Sequence, residues 1–537
     1  MNTNMKDPVA SSTRLRKVVL SDTRRVLTWL FLSGAICCTI RLVSAADAPK
    51  KPLNLLFIIT DQQRWDAMSC AGNKVVKTPN LDQLAREGAR FTSFYSACPV
   101  CVPARTAILT GHDIEANHVL GNDDVRLENQ PPFLSFDQIL LRAGYHGEYY
   151  GKFHSPYKLA MDYTQPVRWL NGQRPPGSKA DKSDADAYKQ YLMEHAGKPP
   201  LKAGELVSRV GVYRPIPLDE NYGKTNPGKS SEGESYGRLE TPPQYSIVAF
   251  TGQEGLAALD RLKGGPFTLT ISFDPPHPPM IVSEPYYSMY PPKSIPVPVS
   301  INDPRTNSPY SNDRKANPEG YRNPINIQQM SSIYYGMVTE VDDWVGKILK
   351  RLDELGLAQN TLVIFTSDHG EMLGDHGMHS KMVFYEGADH VPLLMRLPGI
   401  IPANTLVEAP ASHLDLFSTI LDYCDQKAPS SQGKSLRPLI EGRDSGQGRL
   451  AVSEWNSKNV PGYMIFDGRW KYMCGRSAEA TSLDALYDLK NDPYEMANLI
   501  GRSPEYQSQT KRMRGLLVSW LQQAKSPLAD SVKARPF

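Results

Sequence analysis

The chain has 537 residues, of which 40% are hydrophobic and 22% charged, so it can bury a large core and is neither collagen-like nor wholly disordered. The formal net charge is +3, and it becomes −2 without residues 1–45, which carry seven basic and two acidic side chains. A nearly neutral protein lacks the net basic surface of a general nucleic-acid binder, so no nucleic-acid partner is expected.

Residues 1–45 have the pattern of an export signal, that is, a signal peptide. Basic residues precede an apolar stretch at 26–40, and small residues at 43–45 are typical of a cleavage site. An arginine pair at 24–25 resembles a twin-arginine signal, so the general and the twin-arginine routes both stay open. The apolar stretch is short for a membrane span, and the alternative is an uncleaved anchor. We predict an exported, periplasmic or extracellular protein with no membrane span in the mature chain.

Four apolar runs along the chain have the character of buried strands. They cover residues 53–60, 145–150, 266–273 and 361–366. Short continuous apolar runs with polar boundaries are typical of strands that are buried on both faces of a mainly parallel sheet. Each run leads into ionisable residues, and ligands of open α/β sheets gather at the carboxyl ends of the strands. The sequence therefore predicts one site at this edge of the sheet.

Helices are predicted between these strands. Thr78-Pro79 opens a helix that Gly88 closes, and apolar residues at spacings of three and four predict a helix before Thr361. We expect a larger α/β domain at 46–446, in which residues 173–324 form a largely irregular insert around the pocket. Residues 447–537 are expected to form a smaller α+β subdomain.

Five cysteines follow the export signal: Cys70, Cys98, Cys101, Cys424 and Cys474. An odd number scattered over so long a chain does not suit a disulfide framework. Cys98 and Cys101 form a C-x-x-C pair, which suggests a redox motif or half of a zinc site. A zinc site of ordinary spacing needs a second such pair, and the sequence has none.

A longer pattern begins at Cys101. Residues 101–111 read C-V-P-A-R-T-A-I-L-T-G, which matches C-x-P-x-R-x-x-x-x-T-G at every fixed position. This string resembles the signature of formylglycine-dependent sulfatases of the Cys type, which belong to the alkaline-phosphatase superfamily. Five specified residues at fixed spacing favour the resemblance over the redox interpretation. The resemblance extends over residues 54–499 and is weakest in the insert.

The resemblance implies that a formylglycine-generating maturation enzyme oxidises Cys101 to formylglycine (3-oxoalanine) before folding. The hydrated aldehyde would attack sulfur through one hydroxyl and expel the alcohol, and collapse of the second hydroxyl would then release sulfate. Pro103 suits the first turn of a helix, so Cys101 is expected at a helix N-terminus, where a developing anion is stabilised. Arg105 would hold the diol by hydrogen bonds.

Asp61, Gln62, Asp368 and His369 follow two of the predicted strands and offer oxygen and nitrogen donors to a divalent metal. Ordinary strand-end polarity is the alternative for each residue alone. The resemblance implies a metal at these pairs, with the formylglycine of residue 101 as a further ligand. Many sulfatases have two aspartates and Asp-Asn here; the Asp-Gln and Asp-His of this chain are similar to choline-sulfatases and phosphonate monoester hydrolases. Calcium is the expected ion, with magnesium or manganese as alternatives.

Further residues match elements of the same family: Lys152 and His154 in G-K-x-H, His277 in D-P-P-H-P-P, and Lys381 in G-D-H-G-M-H-S-K. The resemblance implies that the lysines neutralise sulfate oxygens and that His154 accepts a proton from the diol. His277 would contact sulfate or, with Lys381, protonate the leaving oxygen. His376 and His379 lie within the last motif and are either substrate contacts or packing residues.

Together these features predict an alkaline-phosphatase-like α/β fold, with a large mixed, mainly parallel sheet between helices and a small C-terminal antiparallel sheet plus helix. The predicted activity is hydrolysis of a sulfate monoester. A sulfated glycan is the favoured substrate because Tyr286, Tyr287, Tyr290 and Tyr310 suggest rings that stack on sugar faces.

Three alternatives stay open. The Asp-Gln and Asp-His pairs favour a phosphonate monoester or phosphodiester hydrolase, or an enzyme similar to choline-sulfatase. From another class, a noncatalytic sulfoglycan-binding relative would keep Cys101 as a thiol.

Overall fold

The structure, a computed structural model, describes residues 51–126, 132–156, 184–195, 202, 206–216, 236–311, 319–479 and 482–536. The predicted export signal at 1–45 lies outside these residues. Within the described ranges, no helix has the length and apolar character that a membrane span requires.

A seven-stranded mixed sheet forms the centre of the fold, in the order β12-β2-β11-β10-β1-β8-β4. Its strands are β1 (Asn54–Asp61), β2 (Ala89–Phe91), β4 (His146–Gly151), β8 (Phe267–Pro276), β10 (Thr361–Ser367), β11 (Leu393–Arg396) and β12 (Thr405–Val407). The four predicted strands are β1, β4, β8 and β10, and they lie side by side in parallel. The prediction of a mainly parallel sheet is confirmed, and antiparallel β11 makes the sheet mixed.

The side chains of β1 explain why this strand lies at the centre. Leu55, Phe57 and Ile59 face one hydrophobic core, and the alternating Leu56 and Ile58 face a second core on the other side of the sheet. All eight residues of the strand are buried. A strand that buries both faces needs a helical layer on each side, which makes the fold a three-layer α/β structure.

The α-helices are α1 (Pro79–Glu87), α2 (Cys101–Thr110), α3 (Ile114–Asn117), α4 (Phe136–Arg142), α5 (Asp184–His195), α6 (Ile247–Leu262), α7 (Pro324–Glu354), α8 (Glu386–Asp389), α9 (Leu414–Tyr423), α10 (Arg437–Ile440), α11 (Pro504–Gln523) and α12 (Ala529–Lys533). One core contains side chains of α2, α4 and α9, and the other contains side chains of α1, α6 and α7. The helices predicted from Pro79 and before Thr361 are α1 and α7.

The insert is more regular than the sequence predicts. Its described residues include α6 and a sheet in the order β5-β6-β7-β9, formed by β5 (Leu206–Ser208), β6 (Gly211–Pro215), β7 (Tyr236–Leu239) and β9 (Met280–Val282). The prediction of largely irregular structure is wrong for these segments. Gly252 and Gly255 lower the helix propensity of α6, but a Cβ at either position would collide with Trp344 or Ile271. The two glycines therefore allow α6 to pack closely on α7 and β8.

Three of the four insert tyrosines belong to the core rather than to a sugar-stacking surface. Tyr286, Tyr290 and Tyr310 are buried, and their hydroxyl groups bind Asp343, Thr339 and the backbone NH of Phe384. Tyr287 is partly buried against the same core as Tyr286. The expectation that these rings stack on sugars is wrong for the three buried ones, because an aromatic ring flanked by apolar neighbours stabilises the core instead.

The C-terminal part contains a separate antiparallel sheet, as predicted. Its strands follow one another in the order β14 (Ala451–Glu454), β15 (Tyr463–Phe466), β16 (Trp470–Cys474) and β17 (Ala485–Asp488). One face of this sheet packs on α11 and α12, and β14 contacts β3 (Phe94–Tyr95) and β13 (Ala411–Ser412), which pair with each other. The smaller sheet thus lies beside the loop that leads from β3 into α2.

Glu340 is an ionisable side chain buried inside α7. Its carboxylate accepts a hydrogen bond from Ser246 Oγ at 2.5 Å, where Ser246 caps the N-terminus of α6. Burial raises the pKa of Glu340 to about 7, although the hydrogen bond from Ser246 and the charge of Lys347 act in the opposite direction. The folded protein therefore holds a proton at Glu340 that the unfolded chain releases at lower pH.

We expect Glu340→Gln to flatten the dependence of stability on pH. Between the unfolded pKa of 4.5 and the folded pKa of about 7, only the folded state keeps the proton, so stability falls as pH rises through this window. The substitution removes this contribution, about 2–3 kcal/mol. Urea unfolding at pH 5 and pH 8 measures it. Glu354→Gln, on the exposed part of the same helix, is the control, and equal pH dependence in both variants would contradict the prediction.

Candidate active site

Cys101 is the first residue of α2 and is almost completely buried. Its Sγ atom lies 3.1 Å from His369 Nε2, 3.2 Å from Lys381 Nζ and 3.9 Å from Asp61 Oδ1. Val100 is extended and precedes the first turn, and Pro103 occupies that turn, where its missing NH costs no helical hydrogen bond. The sequence of this segment therefore directs residue 101 to a helix N-terminus, which favours an anion.

The two predicted metal-binding pairs meet at Cys101 because β1 and β10 are parallel neighbours. Ligand atoms of Asp61, Cys101, Asp368 and His369 all lie within 4.8 Å of one another, and all four residues are buried. His369 Nε2 is 3.7 Å from Asp61 Oδ1 and 3.6 Å from Asp368 Oδ1. These residues form one compact donor set drawn from two strand ends and a helix end.

Arg105 joins the two carboxylates. Its Nε donates to Asp368 Oδ2 at 2.7 Å, and its Nη2 lies 3.3 Å from Asp61 Oδ2. Nη1 donates to the backbone oxygen of Lys152 at 2.7 Å and to Ser272 Oγ at 3.0 Å. Because the guanidinium is committed to these four groups, Arg105 supports the carboxylates and the strand ends around residue 101.

Lys152 follows β4 and reaches the same cluster. Its Nζ lies 2.7 Å from Asp61 Oδ2 and 3.3 Å from Asp274 Oδ1, and the residue is buried. Gly151 has φ = +91°, and a Cβ at this position would lie 1.9 Å from the backbone oxygen of Ser272. A glycine is therefore required where the chain turns to bring Lys152 into the site.

Gln62 and Lys381 form a second polar layer. Lys381 Nζ donates to Gln62 Oε1 at 2.8 Å, and Gln62 Nε2 donates to Glu371. The backbone of Gln62 has φ = +70° and is held by its NH on Asp368 Oδ1 and its oxygen on Tyr334 Oη. The amide oxygen of Gln62 thus binds Lys381, so its role as a metal ligand stays a prediction.

Two histidines contribute unprotonated nitrogens. His277 Nδ1 donates to the backbone oxygen of Pro278 at 2.8 Å, and its Nε2 lies 4.0 Å from Asp61 Oδ1. Burial and the charges of Lys152 and Lys381 lower the pKa of His277. Burial also lowers the pKa of His154, whose Nδ1 is buried without a hydrogen-bond partner among the described residues. Both rings are therefore neutral at pH 7 and can accept a proton.

The predicted substrate contacts His376 and His379 lie differently. His376 is buried, its Nδ1 is 2.6 Å from Asp303 Oδ2, and its ring stacks on Tyr385. The ring of His379 stacks on Tyr321 with centroids 4.1 Å apart. His376 packs inside the protein, whereas His379 is only partly buried and its role toward substrate stays a prediction.

Asp274 and Glu371 belong to the network, although the sequence reasoning gave them no role. Asp274 binds Lys152 and also Arg209 Nη2, at 2.5 Å. Glu371 binds the side chain of Gln62 and the backbone NH groups of Leu373 and Ser380. Asp274 follows the predicted strand at 266–273 and precedes His277, and Glu371 follows the predicted strand at 361–366 and comes after His369. Their position close behind a strand end was the signal available in the sequence.

The pKa values of the two central carboxylates, Asp61 and Asp368, are shifted in opposite directions. Burial alone would raise the pKa of Asp61, but the charges of Lys152 and Lys381 hold it well below its usual range. Burial and the charge of Asp61 raise the pKa of Asp368 to about 6. Carboxylate oxygens within 4.8 Å of each other repel when both groups are ionised, and an additional cation would stabilise the doubly ionised state.

The thiol of Cys101 is surrounded by cations. Burial and Asp61 would raise its pKa, but Lys381, His369 and Lys152 bring it well below the ordinary value for a thiol. The position therefore stabilises negative charge on whichever atom residue 101 presents.

The donor set fits a divalent metal. His369 Nδ1 donates to the backbone oxygen of Gly370 at 3.0 Å, so Nε2 is the nitrogen that faces the carboxylates and would bind an ion in its unprotonated form. Asp61 Oδ1 is surrounded by His369 Nε2, Cys101 Sγ and His277 Nε2 at 3.7, 3.9 and 4.0 Å, which are long contacts for a buried carboxylate oxygen. Asp61, Asp368 and His369 would hold the ion, with residue 101 beside it.

Comparisons with known proteins agree with this geometry. The family model described as "Sulfatase" matches residues 53–425, and the model described as "N-sulphoglucosamine sulphohydrolase, C-terminal" matches residues 374–523.

Individual relatives cover nearly the whole chain. An arylsulfatase of Clostridium perfringens is 27% identical over 89% of this chain and 96% of its own length, and an ulvan-active sulfatase of Formosa agariphila is 29% identical over 93% and 86%. The crystal structure of the phosphonate monoester hydrolase of Agrobacterium radiobacter is similar, with a TM-score of 0.70, 26% identity and coverage of 88% of this chain and 96% of that one.

We expect Asp61→Asn and Asp368→Asn to lose bound divalent metal, because each replaces a charged ligand by a weaker neutral one. Metal content per chain, measured by mass spectrometry of the elements after dialysis, should fall at least about tenfold. Asp375→Asn is the control, since Asp375 pairs with Arg64 outside the donor set. Unchanged metal content in both ligand variants would refute the assignment.

Proposed function

The chain belongs to the sulfatase family and hydrolyses sulfate esters, and we propose that it does so through a formylglycine formed from Cys101. The observation that carries this proposal is the position of Cys101 Sγ, within 3.2 Å of both His369 Nε2 and Lys381 Nζ at a helix N-terminus. One oxygen atom of the hydrated aldehyde would take the position of Sγ. The cations that stabilise a thiolate here would stabilise an ionised hydroxyl equally.

Lys152 and Lys381 supply positive charge to the sulfate group. Lys152 Nζ contacts Asp61, and Lys381 Nζ contacts Cys101 Sγ and Gln62 Oε1, so the two ammonium groups approach residue 101 through different neighbours. Charge accumulates on the equatorial oxygens during transfer of a sulfuryl group, as it does for phosphoryl transfer, and fixed cations stabilise it. Arg105 keeps the carboxylates in place during this change.

Neutral His154 accepts the proton of the attacking hydroxyl. His277 donates from Nδ1 to Pro278, so its Nε2 offers a lone pair to the site and protonates the leaving oxygen only after it has gained a proton. Lys381 Nζ donates to Gln62 Oε1 and to Cys101 Sγ, next to the attacking atom, and is therefore the better candidate to protonate the leaving alcohol.

The metal is proposed to be calcium, with magnesium or manganese as alternatives. Asp61, Asp368 and His369 would bind it, together with residue 101 and Gln62. A bound divalent cation supplies Lewis-acid polarisation of the sulfate oxygens and stabilises negative charge beside residue 101.

A sulfated glycan is the proposed substrate. The support lies in the relatives, which include the ulvan-active sulfatase, and in the match of residues 374–523 to the C-terminal model of N-sulphoglucosamine sulphohydrolase. His379, partly buried and stacked on Tyr321, is a candidate for the contact with the sugar.

We further propose that the protein is exported by the signal at 1–45.

The maturation enzyme would act on Cys101 before the chain folds, because this residue is only 1% exposed in the folded protein.

A second candidate activity is hydrolysis of phosphonate monoesters. Gln62 and His369 replace the Asp and Asn found in many sulfatases, and the chain is similar to the phosphonate monoester hydrolase of Agrobacterium radiobacter. Lys152 and His154, which match the sulfatase pattern, favour the sulfate ester.

We expect the peptide that contains Cys101, from protein expressed with a maturation enzyme, to have the mass of an aldehyde in place of the thiol. Cys101→Ala should lose activity by about a thousandfold or more, since it removes the nucleophile. Cys98→Ala, three residues earlier in the same loop, is the matched control and should retain activity. An alkylatable thiol at position 101 in fully active protein would contradict the proposal.

Matured protein should turn over an aryl sulfate with kcat/KM at least about tenfold above that for the matching aryl phosphonate, because the lysines and histidines match the sulfatase pattern. Sulfated oligosaccharides should release sulfate under the same conditions, and desulfated oligosaccharides serve as the control. A preference for the phosphonate would instead support the second activity. No release from any oligosaccharide would remove the glycan from the proposal.

A further inference from the structure

Six charged side chains of alternating sign run through the site. Successive contacts are Arg209 to Asp274 at 2.5 Å, Asp274 to Lys152 at 3.3 Å, Lys152 to Asp61 at 2.7 Å, Asp61 to Arg105 at 3.3 Å and Arg105 to Asp368 at 2.7 Å. Five of the six are buried, and only Arg209 is substantially exposed, with 24% of its side chain accessible. The series therefore connects the centre of the site to one partly exposed guanidinium.

Arg209 comes from the insert rather than from the central sheet. It lies in the turn between β5 and β6, and its Nη2 donates both to Asp274 and to the backbone oxygen of Pro278, at 2.9 Å. Pro278 follows His277, whose Nδ1 donates to the same oxygen. One guanidinium thus holds the β5–β6 turn against the segment that carries Asp274 and His277.

Lys152 is shared between two carboxylates. The shorter contact, at 2.7 Å, is with Asp61, and the longer one, at 3.3 Å, is with Asp274. Arg209 satisfies the other oxygen of Asp274, so part of the negative charge of this carboxylate is already compensated. Without Arg209, the full attraction of a buried Asp274 would act on Lys152 and draw its ammonium away from Asp61 and residue 101.

We propose that Arg209 and Asp274 are positioning residues, which hold the ammonium of Lys152 where it meets the sulfate group. Asp274 orients the lysine, and Arg209 limits the strength of that contact and fixes the loop of His277. The proposal rests on the proposed role of Lys152 in the hydrolysis of sulfate esters. It gives the β5–β6 turn of the insert a direct influence on the chemistry.

The first test compares steady-state kinetics of matured Arg209→Met and Arg209→Lys on an aryl sulfate. Arg209→Met should lower kcat about tenfold and change KM by less than about threefold, because a displaced Lys152 loses contact mainly in the transition state. Arg209→Lys should restore most of kcat, since an ammonium keeps the charge beside Asp274. Asp274→Asn should lower kcat at least as much as Arg209→Met.

Arg214→Met is the matched control. Arg214 lies on β6 of the same hairpin, is about half exposed, and faces Glu240 instead of the site. Its substitution should leave kcat and KM unchanged. An equal loss in Arg214→Met and Arg209→Met would mean that the hairpin acts only by its fold, which overturns the proposal.

A double substitution separates a role through Lys152 from an independent one. Lys152→Ala alone should lose far more activity than Arg209→Met, and adding Arg209→Met to Lys152→Ala should lower kcat by less than about twofold further. A further tenfold loss in the double variant, or full activity of Arg209→Met alone, would overturn the positioning role and leave the proposed function intact. Full activity of Lys152→Ala would instead refute the role of Lys152 itself.

Discussion

Two carboxylates that point at each other across neighbouring strand ends are the constraint on which the site depends. Asp61 is the last residue of β1 and Asp368 follows β10, and a buried carboxylate at either strand end needs a compensating charge. Arg105 binds both, and it does so from a helix whose first residue is Cys101. The same helix therefore both neutralises the carboxylates, through Arg105, and positions residue 101.

The remaining residues extend this pairing outward by the same logic. Pairs of opposite charge continue from Lys152 on Asp61 to Arg209 on Asp274, while Gln62 and Glu371 fix Lys381 on the other side. Such a network is rigid, since removal of one member leaves a buried partner without compensation. An arrangement of this kind places positive charge around a tetrahedral anion before the anion arrives, which is the electrostatic requirement for its transfer.

Much of the fold follows from the sequence because its central strands are apolar on both faces. The runs that became β1, β4, β8 and β10 are recognisable without a structure, and the polar residues after them lie where parallel strands deliver them. The helix α6 was less visible, because Gly252 and Gly255 weaken its propensity and only contacts with Trp344 and Ile271 explain them. Tertiary packing, rather than intrinsic helix propensity, determines the conformation of this segment.

The site was less predictable wherever it depends on side-chain direction. His376 belongs to the same motif as Lys381, yet its backbone has φ = +54° and its ring turns inward to Asp303 and Tyr385. Arg209 had no signal at all, since it precedes Asp274 by 65 residues and reaches it from a short hairpin. Sequence spacing indicates which residues follow strands, but it does not indicate which partner a long side chain chooses across an insert.

The pairing of β1 with strands that come much later in the chain determines when the central sheet can form during synthesis. Leu55 pairs with Thr268 and with Leu362, so β1 waits for more than two hundred residues of nascent chain before its first neighbour exists, and longer for the second. Throughout this interval the segment around residue 101 has no sheet to cover it. The late formation of the parallel sheet thereby leaves accessible, during synthesis, a side chain that is only 1% exposed in the finished protein.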